Sequence, residues 1–174
     1  MLPGGIANAG TPKVLIKTNV GDMKIELNRE RAPITVNNFL KYVKSGFYNG
    51  TIFHRVITKF MIQGGGLTPD METKEPLYPP IKNESKNGLK NKAYTIAMAR
   101  RGEPHSATSQ FFINAVDNDF LNPPSRYDWG YCVFGKVIAG TDVVDRIQGV
   151  ATGDKDGFSD VPLEPVIVES ITVY

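Results

Sequence analysis

The chain has 174 residues, 41% of them hydrophobic and 22% charged, with a formal net charge of +2. A chain of that length buries roughly 70% of its unfolded surface as one domain without disulfide staples. The interspersed charge argues against a nucleic-acid partner: the densest basic pair, Arg100-Arg101, is too short to follow a phosphate backbone, and Lys82, Lys86, Lys90 and Lys92 read as a solvated face.

Cys132 is the sole cysteine, so neither an internal disulfide nor a cysteine-based metal set can form. It stands among apolar residues in WGYCVFG and reads as an inert strand residue. His54 and His105 lie far apart with no metal-ligand spacing around either, so no metal and no cofactor is expected. No apolar run approaches the about 18 residues of a membrane span, and a monomer without membrane association is the expectation.

Residues 1–12 read as a flexible N-terminus ahead of a domain over 13–174. Within it Ala7-Asn8-Ala9 has the small-x-small form of a signal-peptidase site, without the basic and apolar regions that precede one. Two readings stay open: a chain begun inside a cleaved leader, which places it in a bacterial periplasm, and a disordered cytoplasmic N-terminus.

KVLIK (13–17) and MKIEL (23–27) alternate with period two around Asn19-Val20-Gly21-Asp22 and predict a β-hairpin. Ala32-Pro33 then opens a helix in which Val36, Phe39, Leu40 and Val43 share one face, Asn37, Asn38, Lys41 and Lys44 point elsewhere, and Gly46 ends the run. Residues 67–92, rich in Pro, Asn, Lys, Glu and Gly, predict a long surface excursion, which is uncommon unless it serves function or packs on itself. AYTIAMA (93–99), SQFFIN (109–114) and YCVFGKV (131–137) read as strands. A turn over 117–121 and a Pro-rich loop over 122–128 lie between the last two. Thr141-Asp142 can cap a second short helix that turns Val143, Val144 and Ile147 inward, 149–165 reads as loop, and VIVESITV (166–173) as a final strand. About seven or eight short strands joined mostly by turns predict a mainly β fold, an antiparallel sheet closed on itself with two helices over the open ends.

The stretch from Phe53 to Gly66, FHRVITKFMIQGGG, is the one a plain core strand does not explain. As a strand over 52–57 it puts Phe53, Arg55 and Ile57 on one face and Ile52, His54 and Val56 on the other; Met61 and Gln63 again share a face. A half-buried arginine beside a glutamine in an apolar wall is a donor pair suited to orienting a peptide or small ligand. The competing reading is an arginine whose stem lies on the sheet while its head pairs with a carboxylate. Gly64-Gly65-Gly66 lacks the Lys-Ser or Lys-Thr of a phosphate loop.

FHRVITKFMIQGGG, SQFFIN and YCVFGKV, in this order behind VNNFLKYVKSGFYNGT, closely resemble the cyclophilin family of peptidyl-prolyl cis/trans isomerases. PPIKNE, NGLKN, AMAR, PHSATSQFFIN and DNDFLN resemble its bacterial branch. The resemblance runs from Val14 to Val173. It implies a closed eight-stranded antiparallel barrel capped by two helices, with the site on the outer face and the interior filled by core. It puts the catalytic arginine on Arg55 and the substrate-binding glutamine on Gln63. The proline pocket falls on Phe60, Met61, Phe112 and Leu121, with Gln110 and the backbone near Ala99 and Arg100 holding the flanking peptide.

It also implies proline-containing peptides and folding proteins as partners, and assistance to folding as the role. Two rivals remain, a binding module without catalysis and a barrel enclosing a small apolar ligand; the second fits poorly with strands bulky enough to fill the lumen. Against the family's commonest pattern, Thr58-Lys59 replaces Pro-Gly in a loop. Phe120 stands where many eukaryotic members carry the tryptophan that binds cyclosporin, so weak cyclosporin binding is expected. Tyr131 takes a rim position often held by histidine, and Arg100-Arg101 make the groove more basic.

Overall fold

The structure is a computed structural model that describes residues 11–124 and 129–174; the leader reading of Leu2 to Gly10 and the end of the Pro-rich loop lie outside the described residues. Ten strands run β1 (Lys13–Thr18), β2 (Gly21–Leu27), β3 (Arg55–Ile57), β4 (Met61–Gly64), β5 (Thr95–Met98), β6 (Phe111–Asn114), β7 (Val133–Ala139), β8 (Thr152–Lys155), β9 (Phe158–Pro162) and β10 (Val168–Val173). Helices α1 (Pro33–Lys44) and α2 (Thr141–Gln148) are separated by most of the sheet. Eight strands form one antiparallel sheet in the order β10-β1-β2-β7-β5-β6-β4-β3. The seam between its ends is bridged just ahead of β3, where Phe53 N–H donates to Val166 O at 3.0 Å and Val168 N–H to Thr51 O at 2.7 Å. The mainly β architecture of eight antiparallel strands with two helices is as predicted; the expected closed barrel is half-closed, its ends β10 and β3 joined by the isolated bridge Ile52–Ile167 rather than by a strand ladder.

The core is aromatic at its centre. Phe39 of α1 meets Tyr48, Phe111 and Phe134 at ring-centroid distances of 5.3, 5.6 and 5.2 Å. Val143, Val144 and Ile147 of α2 bury into the same cluster, as their spacing predicts.

Several local expectations are corrected. Asn38 is buried, because its amide donates to Thr108 O at 2.8 Å and so has a partner inside. Gly140, in the left-handed region at φ 95°, rather than Thr141 or Asp142, precedes the first turn of α2. The segment expected as loop over 149–165 contains the hairpin β8–β9, turned at Asp156 and Gly157 with φ of 50° and 85°. The excursion over 67–92 packs on the body. Its Glu84 carboxylate accepts from Thr35 N–H at 2.8 Å and Ile34 N–H at 3.2 Å, serving the N-terminus of an α1 that has no cap from its own chain neighbours. Cys132, one residue ahead of β7, is buried beside Thr35, and burial pushes its thiol up to about 11, away from reactivity.

Candidate active site

Strand alternation builds the site. One ladder row crosses five strands, pairing Arg55 with Gln63, Gln63 with Phe112, Phe112 with Ala97 and Ala97 with Val133. Residues in register across a sheet project to one side, and the neighbours of this row, Val56, Ile62, Phe111 and Ile96, are in the main core. The row therefore lies on the outer face. There Met61, Ala97, Phe112, Leu121 and Val133 make a second apolar cluster, separate from the first.

Arg55 stands at the edge of that cluster and is exposed, against the half-buried position expected. The strand starts only at Arg55: Ile52 faces Ile167 across the seam, Phe53 N–H donates to Val166 O, and Phe53 is fully buried in the core rather than sharing a face with Arg55. The guanidinium is held by an amide. Its Nη1 donates to Gln63 Oε1 at 3.4 Å, and Gln63 Nε2 donates onward to Gln110 Oε1 at 3.0 Å. Side-chain ion pairs among the described residues involve other groups, such as Lys92 with Asp117 and Arg146 with Asp142, so no carboxylate neutralises Arg55 there.

Beside this donor chain is an open cleft of about 220 Å³ lined by Arg55, Phe60, Met61, Gln63, Phe112 and Leu121, with Ala99, Arg100 and Tyr131 completing the rim. The Tyr131 ring packs edge-on against Phe112 at 5.7 Å. Arg100 lies over the other side of that ring system: its guanidinium is 4.6 Å from the Tyr131 centroid, and Nη2 donates to Trp129 O at 3.1 Å. Ala99 N–H donates to Gln110 O at 3.0 Å and ties the rim to the donor chain. Phe120, 66% exposed, stacks on Phe60 at 5.7 Å and prolongs the apolar wall outward. The turn at Thr58-Lys59 is docked on the end of α2, with Thr58 Oγ1 donating to Gln148 O at 2.6 Å and Lys59 N–H to Gln148 Oε1 at 2.8 Å.

The three glycines that follow are a close backbone passage. A Cβ on Gly64 would lie 2.8 Å from Ile52 O, and one on Gly66 would lie 2.5 Å from the Gln110 side chain. His54 points away from the cleft. It is buried against Phe158 at 6.1 Å, and burial, helped by the nearby Arg55 charge, lowers its pKa to about 4. In the unfolded chain the imidazole titrates near 6.5, so between that pH and 4 the unfolded state binds the extra proton and stability falls as the solution is acidified. Denaturation midpoints measured over this window are expected to drop toward pH 4, and His54→Gln is expected to flatten that part of the slope.

An exposed guanidinium with a neutral tether, next to an open cleft with apolar residues in its lining, is equipped to bind a peptide through an apolar residue and donate to its backbone. Residues 13–173 match the family described as cyclophilin type peptidyl-prolyl cis-trans isomerase/CLD. The chain belongs to the cyclophilins. It is 58% identical over 162 residues to a peptidyl-prolyl cis-trans isomerase of Streptomyces antibioticus, covering 92% of this chain and 97% of that one. It is 59% identical over 162 residues to peptidyl-prolyl cis-trans isomerase B of Escherichia coli K12, covering 92% and 98%. Among solved structures, a Cryptosporidium parvum cyclophilin type peptidyl-prolyl cis-trans isomerase superposes with a TM-score of 0.81 at 32% identity, covering 94% of this chain and 98% of that one. The activity of the chain is accordingly peptidyl-prolyl cis-trans isomerisation.

The sequence reading of this cyclophilin missed a set of polar residues behind the cleft, Asn91, Asn114, Asn118 and Asn122. The available signal was an asparagine ending the otherwise buried strand FFIN.

Proposed function

We propose that this cleft is where X-Pro bonds are isomerised, with Arg55 as the catalytic donor. Rotation about an X-Pro bond must give up amide resonance, a barrier of roughly 18–20 kcal/mol that makes the unaided step take tens to hundreds of seconds. In the twisted transition state the prolyl nitrogen regains a lone pair. A guanidinium donating to that nitrogen binds the transition state better than either planar ground state. The observation that carries the reading is the neutral tether: Gln63 orients Arg55 at 3.4 Å without quenching its charge.

Phe60, Met61, Phe112 and Leu121 grip the proline ring, while Gln63, Gln110 and the backbone near Ala99 and Arg100 hold the flanking peptide as the acyl side rotates. No bond breaks, so the chemistry asks for neither nucleophile nor cofactor. The substrates are proline-containing peptides and folding chains; a relative from Cryptosporidium parvum has been solved in the presence of the dipeptide Ala-Pro. The acting unit is a monomer formed by residues 13–174, with 1–12 leading into it. Titrating a short X-Pro peptide into isotope-labelled protein tests the location: shifts centred on Arg55, Gln63 and Phe112 are expected, and shifts centred elsewhere refute it.

Phe120 lacks an indole N–H, so cyclosporin binds weakly here. Phe120→Trp restores one donor at the exposed end of the wall and is expected to strengthen inhibition by about tenfold, the scale of a single hydrogen bond. An inhibition titration of the two proteins checks this.

A further inference from the structure

The cleft draws its lining from two kinds of chain. Met61 and Phe112 lie on paired strands, and the sheet ladder holds them. Phe60, Leu121 and Tyr131 lie on connections without a ladder. Backbone bonding holds Phe60 in part, with Ala115 N–H donating to its carbonyl at 2.9 Å, and side chains supply the rest of the support for these three.

Asn114 ends β6 on the same face as Phe112, and it is fully buried. Its amide donates to Asn91 Oδ1 and Thr95 Oγ1, each at 3.0 Å, and its Oδ1 accepts from Asn118 Nδ2 at 2.8 Å. Asn118 Nδ2 also donates to the carbonyl of Phe60 at 2.9 Å. On the other branch, Asn91 Nδ2 donates to Asn122 Oδ1 at 3.0 Å and to the carbonyl of Tyr131 at 3.3 Å. Asn118 and Asn122 flank the short 3-10 turn Asp119–Leu121, and Tyr131 N–H closes the frame on Leu121 O at 3.0 Å. Four carboxamides thus join the backbone of all three connections to the end of the strand that carries Phe112. A carboxamide both donates and accepts, so it can be chained in this way; a buried carboxylate or an apolar side chain would leave neighbours unpaired.

We propose that this asparagine frame sets the aperture of the proline pocket and makes it selective for a five-membered ring, with Asn118 and Asn114 as positioning residues. The inference rests on the cleft being the site of isomerisation. A hydrophobic pocket of fixed size discriminates one methylene by about tenfold or more, and only if its walls do not yield. The frame supplies that resistance, because moving Phe60 or Tyr131 outward must break part-buried hydrogen bonds to Asn118 or Asn91.

The test compares kcat/KM for a short X-Pro peptide with that for the same peptide carrying pipecolate, the six-membered homologue. Wild-type protein is expected to prefer proline by about tenfold or more. Asn118→Ala is expected to lower kcat/KM for proline while sparing pipecolate, so that most of the preference disappears. Asn118→Asp, equal in volume but without the donors to Phe60 and Asn114 at pH 7.5, is expected to behave like the alanine variant. Asn122→Ala, at a less buried position, is expected to erode the preference in part and stands in if the Asn118 variants do not fold. Equal losses on both peptides, an undiminished preference, or an Asp variant that keeps it would each overturn the proposal. Arg55→Ala separates the two readings: it is expected to slow both peptides with the preference retained. No turnover by the wild-type protein would instead refute the cleft as the site.

Discussion

Arg55→Ala is expected to lower kcat for a short X-Pro peptide by about 10²-fold or more while KM changes little, which corresponds to roughly 2.7 kcal/mol of transition-state stabilisation. The split follows from the geometry. The guanidinium lines the cleft beside apolar residues that, on the proposed function, grip the ring, so removing it is expected to leave ground-state binding in place. Because Arg55 is exposed and joins no ion pair among the described residues, the fold does not depend on it. Arg55→Lys retains charge but loses the planar fork, and is expected to recover only a small part of the rate. Exchange spectroscopy on the peptide reads the rate, and a denaturation curve checks the fold. Turnover unchanged in Arg55→Ala would remove the guanidinium from the mechanism.

The largest expected effect on stability is at Phe111, one residue from the cleft. Phe111→Ala is expected to cost about 3–5 kcal/mol, read from chemical denaturation. The ring is fully buried and meets Phe39, Tyr48 and Phe53 edge-on at 5.6, 5.4 and 6.0 Å, so no single neighbour can collapse into the space without losing its own contacts. Gly65 adds to the constraint, since a Cβ there would lie 2.8 Å from the Phe111 ring. Phe112, on the opposite face, lines the cleft instead, and Phe112→Ala acts first on peptide affinity. Two adjacent phenylalanines therefore separate stability from binding. Equal denaturation midpoints for Phe111→Ala and wild type would contradict the packing described here.

Much of this is legible in the sequence. The spacing of Val36, Phe39, Leu40 and Val43 marks the buried face of α1, and the alternation in KVLIK and MKIEL marks the first hairpin. The proposed site residues are legible chiefly through the ordered family motifs, since spacing alone leaves Arg55 open between a ligand donor and an ion pair. The hairpin β8–β9 was missed because Thr152–Lys155 has no apolar alternation, although Asp156-Gly157 carried the turn signal. Local pattern reports burial, and the first strand of that hairpin has no buried residue.

What the sequence by itself determined is the first hairpin, the two helices with their apolar faces and the chemical character of the stretch from Phe53 to Gly66, because each depends on neighbours within a few residues. Only the tertiary structure decided that Phe53 leaves the face of Arg55 for the core, that Glu84 serves the first turn of α1 across 49 residues from Thr35, and that four asparagines from two separate segments meet behind the cleft. Those outcomes depend on which distant backbone groups need partners once the sheet has closed. A residue's own sequence neighbourhood does not record them.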